Sequence, residues 1–528
     1  MTQATAVRQA AAAAPDVAGN AGYSMFASAY YLVTRLALPP LVLAHISLVE
    51  YGLWSACFVL IMYIGLADSG FANVYVRFTA LYHARGEDAA ISRLLSTGVF
   101  TLAPLALLVL GGLWLLLPEV LAFIRTPEHL FGEARLLIIG AAAMFLLDLT
   151  LGAYCYLLHG LQRIREEKKI AMAGFTIEFV FIVIFLQLGA GVYALLAAFC
   201  LRYLYSLAGF IRLARRLLPD LRLSPRLYDK SLLRHFFGFG LAIQASTLCA
   251  TALHSLDRVL AGWMLGPQGV ALFELAAKMP LAAVSVPAAI SNVAMPAAAR
   301  HSAAGEHQAF NDLYLGASRA TALLAGWPLA ILAVFAAPLM QLWLGDRPGL
   351  ELLPAILTLI AMWSHLHIIT GPGTAVFRAR GSTRNEFVYH GLRIIGLAVF
   401  LGVAWRIFGA GAEMLMFGFF AGGVFAAGGY IVWNQHRLGL PLRDLWRLLA
   451  PAAAIGYPVA VALYWLWQVS PAATLGRPAA LALLLLFALG HTLIWATLAW
   501  RLLSEHERSW LRGRGERFYS SLAKWRRA

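Results

Sequence analysis

Fourteen long apolar runs, separated by short polar loops, leave this chain few folds to choose from. They lie at 23–44, 51–76, 94–117, 134–158, 170–188 and 192–211, then at 236–258, 269–292, 312–335, 351–372, 387–407 and 412–433, and last at 448–467 and 478–500. A helix rises ~1.5 Å per residue, so about 20 residues cross the hydrocarbon core of a bilayer. None of the runs alternates with period two, which excludes a membrane β-barrel. Charged residues make up 13% of the chain and the mean hydropathy is +0.73. A soluble domain carries nearer 25% charge. The expected fold class is therefore an all-α polytopic membrane protein with about 14 transmembrane helices.

The net charge of +15 invites a nucleic-acid reading, but the basic residues sit at the ends of apolar spans. Of the 41 Lys and Arg, five fall on one side of the expected membrane: Arg125, Arg135, Arg347, Arg406 and Arg477. Four more lie in or at the edge of spans, and the rest cluster on the opposite side. That asymmetry places both termini in the cytoplasm. The segment Arg212 to His235 is the most basic. It reads as a positive-inside linker on the headgroups or as a dock for anionic lipid. Residues 1–22 lack the apolar core of a cleaved signal and read as a tail. Near the C-terminus, Leu511, Phe518, Leu522 and Trp525 share a helical face that suits an interfacial helix.

Two loops repeat. Tyr82-His83-Ala84-Arg85-Gly86-Glu87 answers His301-Ser302-Ala303-Ala304-Gly305-Glu306, 219 positions on, and Gly160-Leu-Gln-Arg163 answers Gly381-Ser-Thr-Arg384, 221 positions on. Six spans per repeat is an even number, so the halves share orientation, related by a pseudo-two-fold along the membrane normal. The expected organisation is a cytoplasmic tail (1–22), an N-terminal six-helix bundle (23–211), the basic linker (212–235), a C-terminal six-helix bundle (236–433), two extra helices (448–500) and a basic tail (501–528).

The chemistry-bearing residues are few. There is no G-x-x-x-x-G-K-[ST] phosphate loop, hence no ATPase motor. The four Cys form no C-x-x-C pair and no His/Cys cluster has metal spacing, so neither a metal nor a cofactor is expected. His365 and His367 point to nearly opposite sides of a helix and read as packing or pore-lining. What remains is charge inside the bilayer. Arg35 sits mid-span with Pro39 and Pro40 just beyond, which removes two helical donors and predicts a broken turn. Arg202 lies mid-span. Lys278 has Glu274 one turn earlier and Pro280 beyond, a second cation beside a break. Arg77 and Asp68 lie toward the inner end of span two, and Asp148 and Glu178 lie mid-span.

Each has a plain reading as an internal ion pair: Lys278 with Glu274, and Arg202 with Asp148 or Glu178. Arg35 has no acid on its own helix and is read as facing a cavity. Asp257-Arg258 with His254 read as the cap of the outer end of span seven. Taken together, the cations suit an anionic substrate such as a diphosphate. Moving one negative charge outward across ~100 mV, inside negative, gains roughly 2.3 kcal/mol, so export needs no ATP.

Several stretches resemble one superfamily: Tyr51-Gly52-Leu53-Trp54; Leu66-Ala67-Asp68-Ser69-Gly70 followed by Arg77; Leu256-Asp257-Arg258-Val259-Leu260 with Gly266; and Pro296 before Arg300. Over nearly the whole chain the pattern resembles the multidrug/oligosaccharidyl-lipid/polysaccharide (MOP) exporters. Within them it is most similar to the Wzx-type polysaccharide flippases and their relative, the lipid II flippase. The resemblance implies a non-enzymatic carrier in the bacterial inner membrane. It would move an undecaprenyl-diphosphate-linked oligosaccharide, for exopolysaccharide, capsule or O-antigen, from the inner to the outer leaflet by alternating access.

It further implies membrane lipid, a polysaccharide polymerase and a chain-length regulator as partners, no nucleic acid, and Na+ or H+ coupling left open. Cavity cations lie on the first, second and eighth helices of the lipid II flippase, where this chain carries Arg35, Arg77 and Lys278. Its two extra C-terminal helices form a groove for the lipid tail, which spans thirteen and fourteen could match. Asp68, Asp148 and Glu178 keep open a MATE-like, cation-coupled drug exporter. A membrane-embedded polymerase or glycosyltransferase is the other alternative, disfavoured by short outer loops.

Overall fold

The computed structural model describes residues 17–65, 68–238, 241–382 and 384–502. Side chains are described from residue 22 onward, apart from 68–70, 237–238, 241–247, 447–448 and 473. The helix expected near the C-terminus lies outside these residues, as do Leu66 and Ala67 of the second-span motif.

Every regular element among the described residues is helical, as a membrane interior without hydrogen-bonding solvent demands. In chain order they are α1 (Val17–Val42), α2 (Leu48–Ile64), α3 (Asp68–Ala84), α4 (Asp88–Leu115), α5 (Leu117–Phe123), α6 (Phe131–Leu151), α7 (Ala153–Gly160), α8 (Ile164–Gln187) and α9 (Tyr193–Leu217). Then follow α10 (Leu233–Gly238), α11 (Leu241–Ala303), α12 (His307–Val334), α13 (Ala336–Leu344), α14 (Leu353–Ile368), α15 (Thr370–Ala379), α16 (Arg384–Phe408), α17 (Ala412–Arg437), α18 (Arg443–Val469) and α19 (Arg477–Leu502).

Twelve helical stretches among the described residues are long and apolar enough to cross a membrane. One of them, Leu248–Ala303, has 56 residues and is long enough to cross twice. The shorter α2 and α3 supply the expected second span. The described helices thus agree with a many-helix membrane protein of about the expected number of crossings.

Two compact units emerge. The first runs up to Lys278 and includes Ala404–Leu415. The second comprises Met279–Val403 and the chain from Met416 onward. In the first unit, Tyr75, Ile91, Leu94, Leu95, Leu157, Leu158 and Phe236 build the largest core cluster.

The basic linker is fastened to this core. Leu218, Leu221 and Leu232 are buried in it. Three buried hydroxyls of α4 receive linker backbone N–H groups: Arg222 N–H donates to Ser92 (3.1 Å), Ser224 N–H to Ser96 (3.2 Å) and Asp229 N–H to Thr97 (3.0 Å). Arg222, Arg226 and Lys230 remain exposed.

The expected proline breaks are not where the helices end. Helix α1 runs through Pro39 and Pro40 to Val42, and α11 continues through Pro280. The interruption in α11 is at Gly266, with φ 71° and ψ −166°. That backbone region is open to glycine and strained for other residues. Here α2 comes very close: a Cβ on Gly52 would lie 1.9 Å from the Pro267 carbonyl oxygen. The glycine of the Tyr-Gly-Leu-Trp stretch is the residue that lets this backbone approach occur.

The internal repeat extends well beyond two loops. Gly86 and Gly305 both take positive φ (71° and 72°). Around them, Glu87 N–H bonds Tyr82 C=O and Glu306 N–H bonds His301 C=O. The second expected offset, 221, is corrected to the same 219. Gln162 (φ 60°), not Gly160, matches Gly381 (φ 73°). Gln162 N–H bonds His159 C=O as Gly381 N–H bonds Arg378 C=O. Helix ends follow the same register. Asp88, Leu115, Leu117 and Gly160 correspond to His307, Val334, Ala336 and Ala379.

Candidate functional site: a charged seam in the first unit

Arg35 enters the bilayer on α1 because a 26-residue apolar helix carries it there. Its partner comes from α8, 143 residues away: both terminal nitrogens bond the Glu178 carboxylate, NH1 to Oε1 at 3.2 Å and NH2 to Oε2 more closely. Arg202 of α9 approaches the same carboxylate, with Nε 3.0 Å from Oε2. The Glu178 side chain is only 3% exposed, whereas Arg35 is 22% and Arg202 15% exposed. The acid therefore lies behind and the cations in front. Aromatic faces complete the shell. Arg35 lies over Tyr31 (5.1 Å) and Phe175 (5.7 Å), and Arg202 over Tyr203 (4.0 Å), Phe199 (5.1 Å) and Phe175 (5.4 Å). Phe175 thus serves both guanidinium groups.

A second cluster is built on α11, on both sides of the Gly266 interruption. Lys278 Nζ donates to Glu274 Oε1 and Arg258 Nε to Glu274 Oε2, each at 2.8 Å. Asp257 Oδ1 lies 3.5 Å from Arg258 NH1. Buried Tyr51 of α2 lies within electrostatic reach of Lys278 and Glu274. Arg35 lies within electrostatic reach of both Tyr51 and Lys278. The two clusters therefore form one seam: Arg202, Glu178, Arg35, Tyr51, Lys278, Glu274, Arg258, Asp257. Removing one member of such a buried pair costs ~3–5 kcal/mol, because the other charge is left uncompensated.

The remaining candidates are placed elsewhere. Arg77 is exposed on α3, its guanidinium 5.5 Å from the Phe78 ring. Asp148 sits beside the α6–α7 junction and interacts electrostatically with Tyr203 and Cys155. Asp68 begins α3, and its side chain lies outside the described set. His365 is buried, between Ala322 C=O (2.9 Å) and the Tyr457 hydroxyl (3.2 Å), and His367 contacts the Tyr389 hydroxyl (2.5 Å).

Sequence reasoning missed two members of the seam. Arg258 was expected to cap a helix end, but it is 8% exposed and joined to Glu274. The Asp-Arg dipeptide within an apolar run was the available signal. Tyr51 carried no signal beyond its place in a motif, since a helical tyrosine at a span's start is ordinarily an interfacial anchor. Among the described residues, Cys155, His159 and Glu167 also bring ligand-type atoms within 4.8 Å. Lys168 Nζ stands 3.2 Å from the Glu167 oxygen that meets His159.

Comparison with known proteins agrees on family and fold. The polysaccharide biosynthesis protein family model matches residues 42–347, more than half of the chain. Among solved structures, the lipid II flippase MurJ in an inward closed conformation has a TM-score of 0.67 at 11% identity, over 91% of this chain and 98% of that one. An inward-facing multidrug resistance MATE family transporter of the MOP superfamily scores 0.65 at 16% identity, over 78% and 94%. A MOP superfamily transporter from Pyrococcus furiosus, with a binding pocket of reversed polarity, scores 0.53 at 17%, over 79% and 94%. No curated protein matches the chain in sequence. With a family model matched over more than half of its length, the chain belongs to the polysaccharide biosynthesis protein family, and its fold is that of the MOP superfamily structures it matches.

Proposed function

We propose that this protein is a flippase that carries a polyprenyl-diphosphate-linked oligosaccharide from the inner to the outer leaflet, by alternating exposure of the charged seam to the two sides. The observation that supports this most is the layering at Arg35: a buried carboxylate behind, partly exposed guanidinium groups in front. Without substrate, Glu178 and Glu274 hold the cations and spare the membrane interior an unpaired charge. An arriving diphosphate also offers paired oxygens that a guanidinium can meet bidentately, and carries more charge. It takes over Arg35 and Lys278, and the carboxylates return as it leaves.

The family assignment supports a role in polysaccharide synthesis, and the fold of MurJ supports lipid-linked cargo. The bacterial inner membrane is the location that this reading implies, and the distribution of basic residues supports cytoplasmic termini. A polymerase and a chain-length regulator are the partners that this reading implies.

The acids of the seam favour one competing reading, a MATE-like cation-coupled exporter. Reconstitution separates the two. Vesicles containing the protein and a fluorescent polyprenyl-diphosphate glycan should show label crossing between leaflets, lost in Arg35→Ala. Glu178→Gln should retain crossing if phosphate replaces the carboxylate. Crossing unchanged in Arg35→Ala, or substrate-independent cation efflux abolished by Glu178→Gln, would overturn the flippase reading.

A further inference from the structure

The stretch from Arg212 to His235 carries six Arg and one Lys against two acids, Asp220 and Asp229. All seven cations are exposed. The leucines between them turn the other way: Leu218, Leu221 and Leu232 are buried in the core around α4, and Leu223 packs against it. One short segment is thus sorted by face, with leucines inward and cations outward.

The cations stand on backbone that is held in place. The Ser92, Ser96 and Thr97 hydroxyls of α4 accept the Arg222, Ser224 and Asp229 N–H groups. The linker also ties itself. The Ser224 hydroxyl accepts Arg226 N–H (3.3 Å), and the Asp229 carboxylate accepts Ser231 N–H (2.9 Å). Arg222, Arg226 and Lys230 follow one another at four-residue intervals along this tied backbone. Among the described residues, none of the three takes part in an ion pair. Asp229 does not neutralise them. It is bonded to Ser231, and the cation that acts on it is Arg93 of α4.

Position decides the partner. The linker directly follows a candidate span, Tyr193–Leu217, whose last two turns carry Arg212, Arg215 and Arg216. Long basic side chains at a span's end reach the depth of the headgroups, where anionic lipids attract clustered Lys and Arg.

We infer that this linker is a preformed binding surface for anionic phospholipid headgroups, centred on Arg222, Arg226 and Lys230. It shares no residue with the charged seam. Lipid phosphates bridge neighbouring cations through charge-assisted hydrogen bonds. The hydroxyl anchors spare the linker the ordering that a loose basic segment undergoes on binding.

Native mass spectrometry of the full-length protein tests this with no transport substrate present, so its outcome is independent of the flippase reading. Titrated with an equimolar mixture of phosphatidylglycerol and phosphatidylcholine, the wild type should retain the phosphatidylglycerol. One cation near an anionic surface is worth about fivefold in affinity. Changing Arg222, Arg226 and Lys230 together to Gln should therefore weaken phosphatidylglycerol binding by roughly tenfold or more. The same loss of charge at three other exposed positions, Arg85→Gln with Arg300→Gln and Arg437→Gln, should leave it near the wild-type value. Changing Ser92, Ser96 and Thr97 together to Ala keeps every cation but frees the backbone, and should weaken binding severalfold. Phosphatidylglycerol bound no better than phosphatidylcholine, equal loss in the two Gln triple variants, or wild-type binding after removal of the three hydroxyls overturns the inference.

Discussion

At the residue scale the account depends on which groups share a carboxylate. Arg35, Arg202, Lys278, Glu178 and Glu274 were all visible in the sequence as charges inside apolar runs. Their pairing was legible along one helix, as for Lys278 and Glu274 at one-turn spacing, and as one of two alternatives for Arg202, which meets Glu178. The Arg35–Glu178 contact joins helices 143 residues apart, and no local pattern encodes that. Gly52 is a second residue-scale case. Its Cβ would meet the backbone carbonyl of Pro267, which cannot move as a flexible side chain would. Gly52→Ala should destabilise the first unit by about 1–3 kcal/mol, read as a lowered midpoint in a thermal unfolding assay in detergent. An unchanged midpoint would show that the two segments are not in contact.

At the element scale the linker is the informative piece. Its basic residues predicted the membrane side it should occupy, and its exposed Arg222, Arg226 and Lys230 suit that role. The hydroxyl anchors on α4 went unnoticed because Ser92, Ser96 and Thr97 sit in a helix, where such residues usually bond their own backbone. Changing all three to Ala should leave three linker N–H groups without partners, at roughly 1–3 kcal/mol each where buried. The measurable result is faster cleavage by trypsin between Arg222 and Lys230, with the rest of the chain unaffected.

The linker also carries a pH term. Asp229 is held below the usual carboxylate range, chiefly by the Ser231 hydroxyl and also by the Ser231 N–H. A carboxylate with a depressed folded value contributes fully above the ordinary Asp value, about 3.9, and loses that contribution as the pH falls from there through its own lower value. The linker should therefore loosen below about pH 4 in the wild type, read as faster cleavage there by pepsin, which is active at that pH. In Asp229→Asn that pH dependence should be absent.

The repeat shows why one corner was legible and the other misaligned. At Gly86 and Gly305 both halves use glycine for the left-handed residue, and the sequence match is direct. At the other corner the first half uses Gln162, so glycine-to-glycine matching slips by two positions.

At the scale of the whole molecule, helix count and membrane character followed from run length and composition, because a bilayer leaves a chain little freedom. Gly266, which the family resemblance places at the end of span seven, is where α11 is interrupted, whereas the prolines, read as further breaks, are not sites of interruption. The helices instead accommodate Pro39, Pro40 and Pro280 within continuous elements. The wider claim is that the seam is neutralised from within until a diphosphate arrives. It predicts that salt weakens substrate binding less than it would for an exposed basic patch, since partly buried charges are screened less.

The most direct measurement is the affinity of the purified protein for a polyprenyl diphosphate and for the same lipid as a monophosphate, by native mass spectrometry. The wild type should prefer the diphosphate. Arg35→Ala should bind it at least tenfold more weakly, and Glu178→Gln, with its resident anion gone, should bind it more tightly. Equal affinity for the two lipids, or a Glu178→Gln protein that loses binding as Arg35→Ala does, would contradict the exchange of carboxylate for phosphate at this seam.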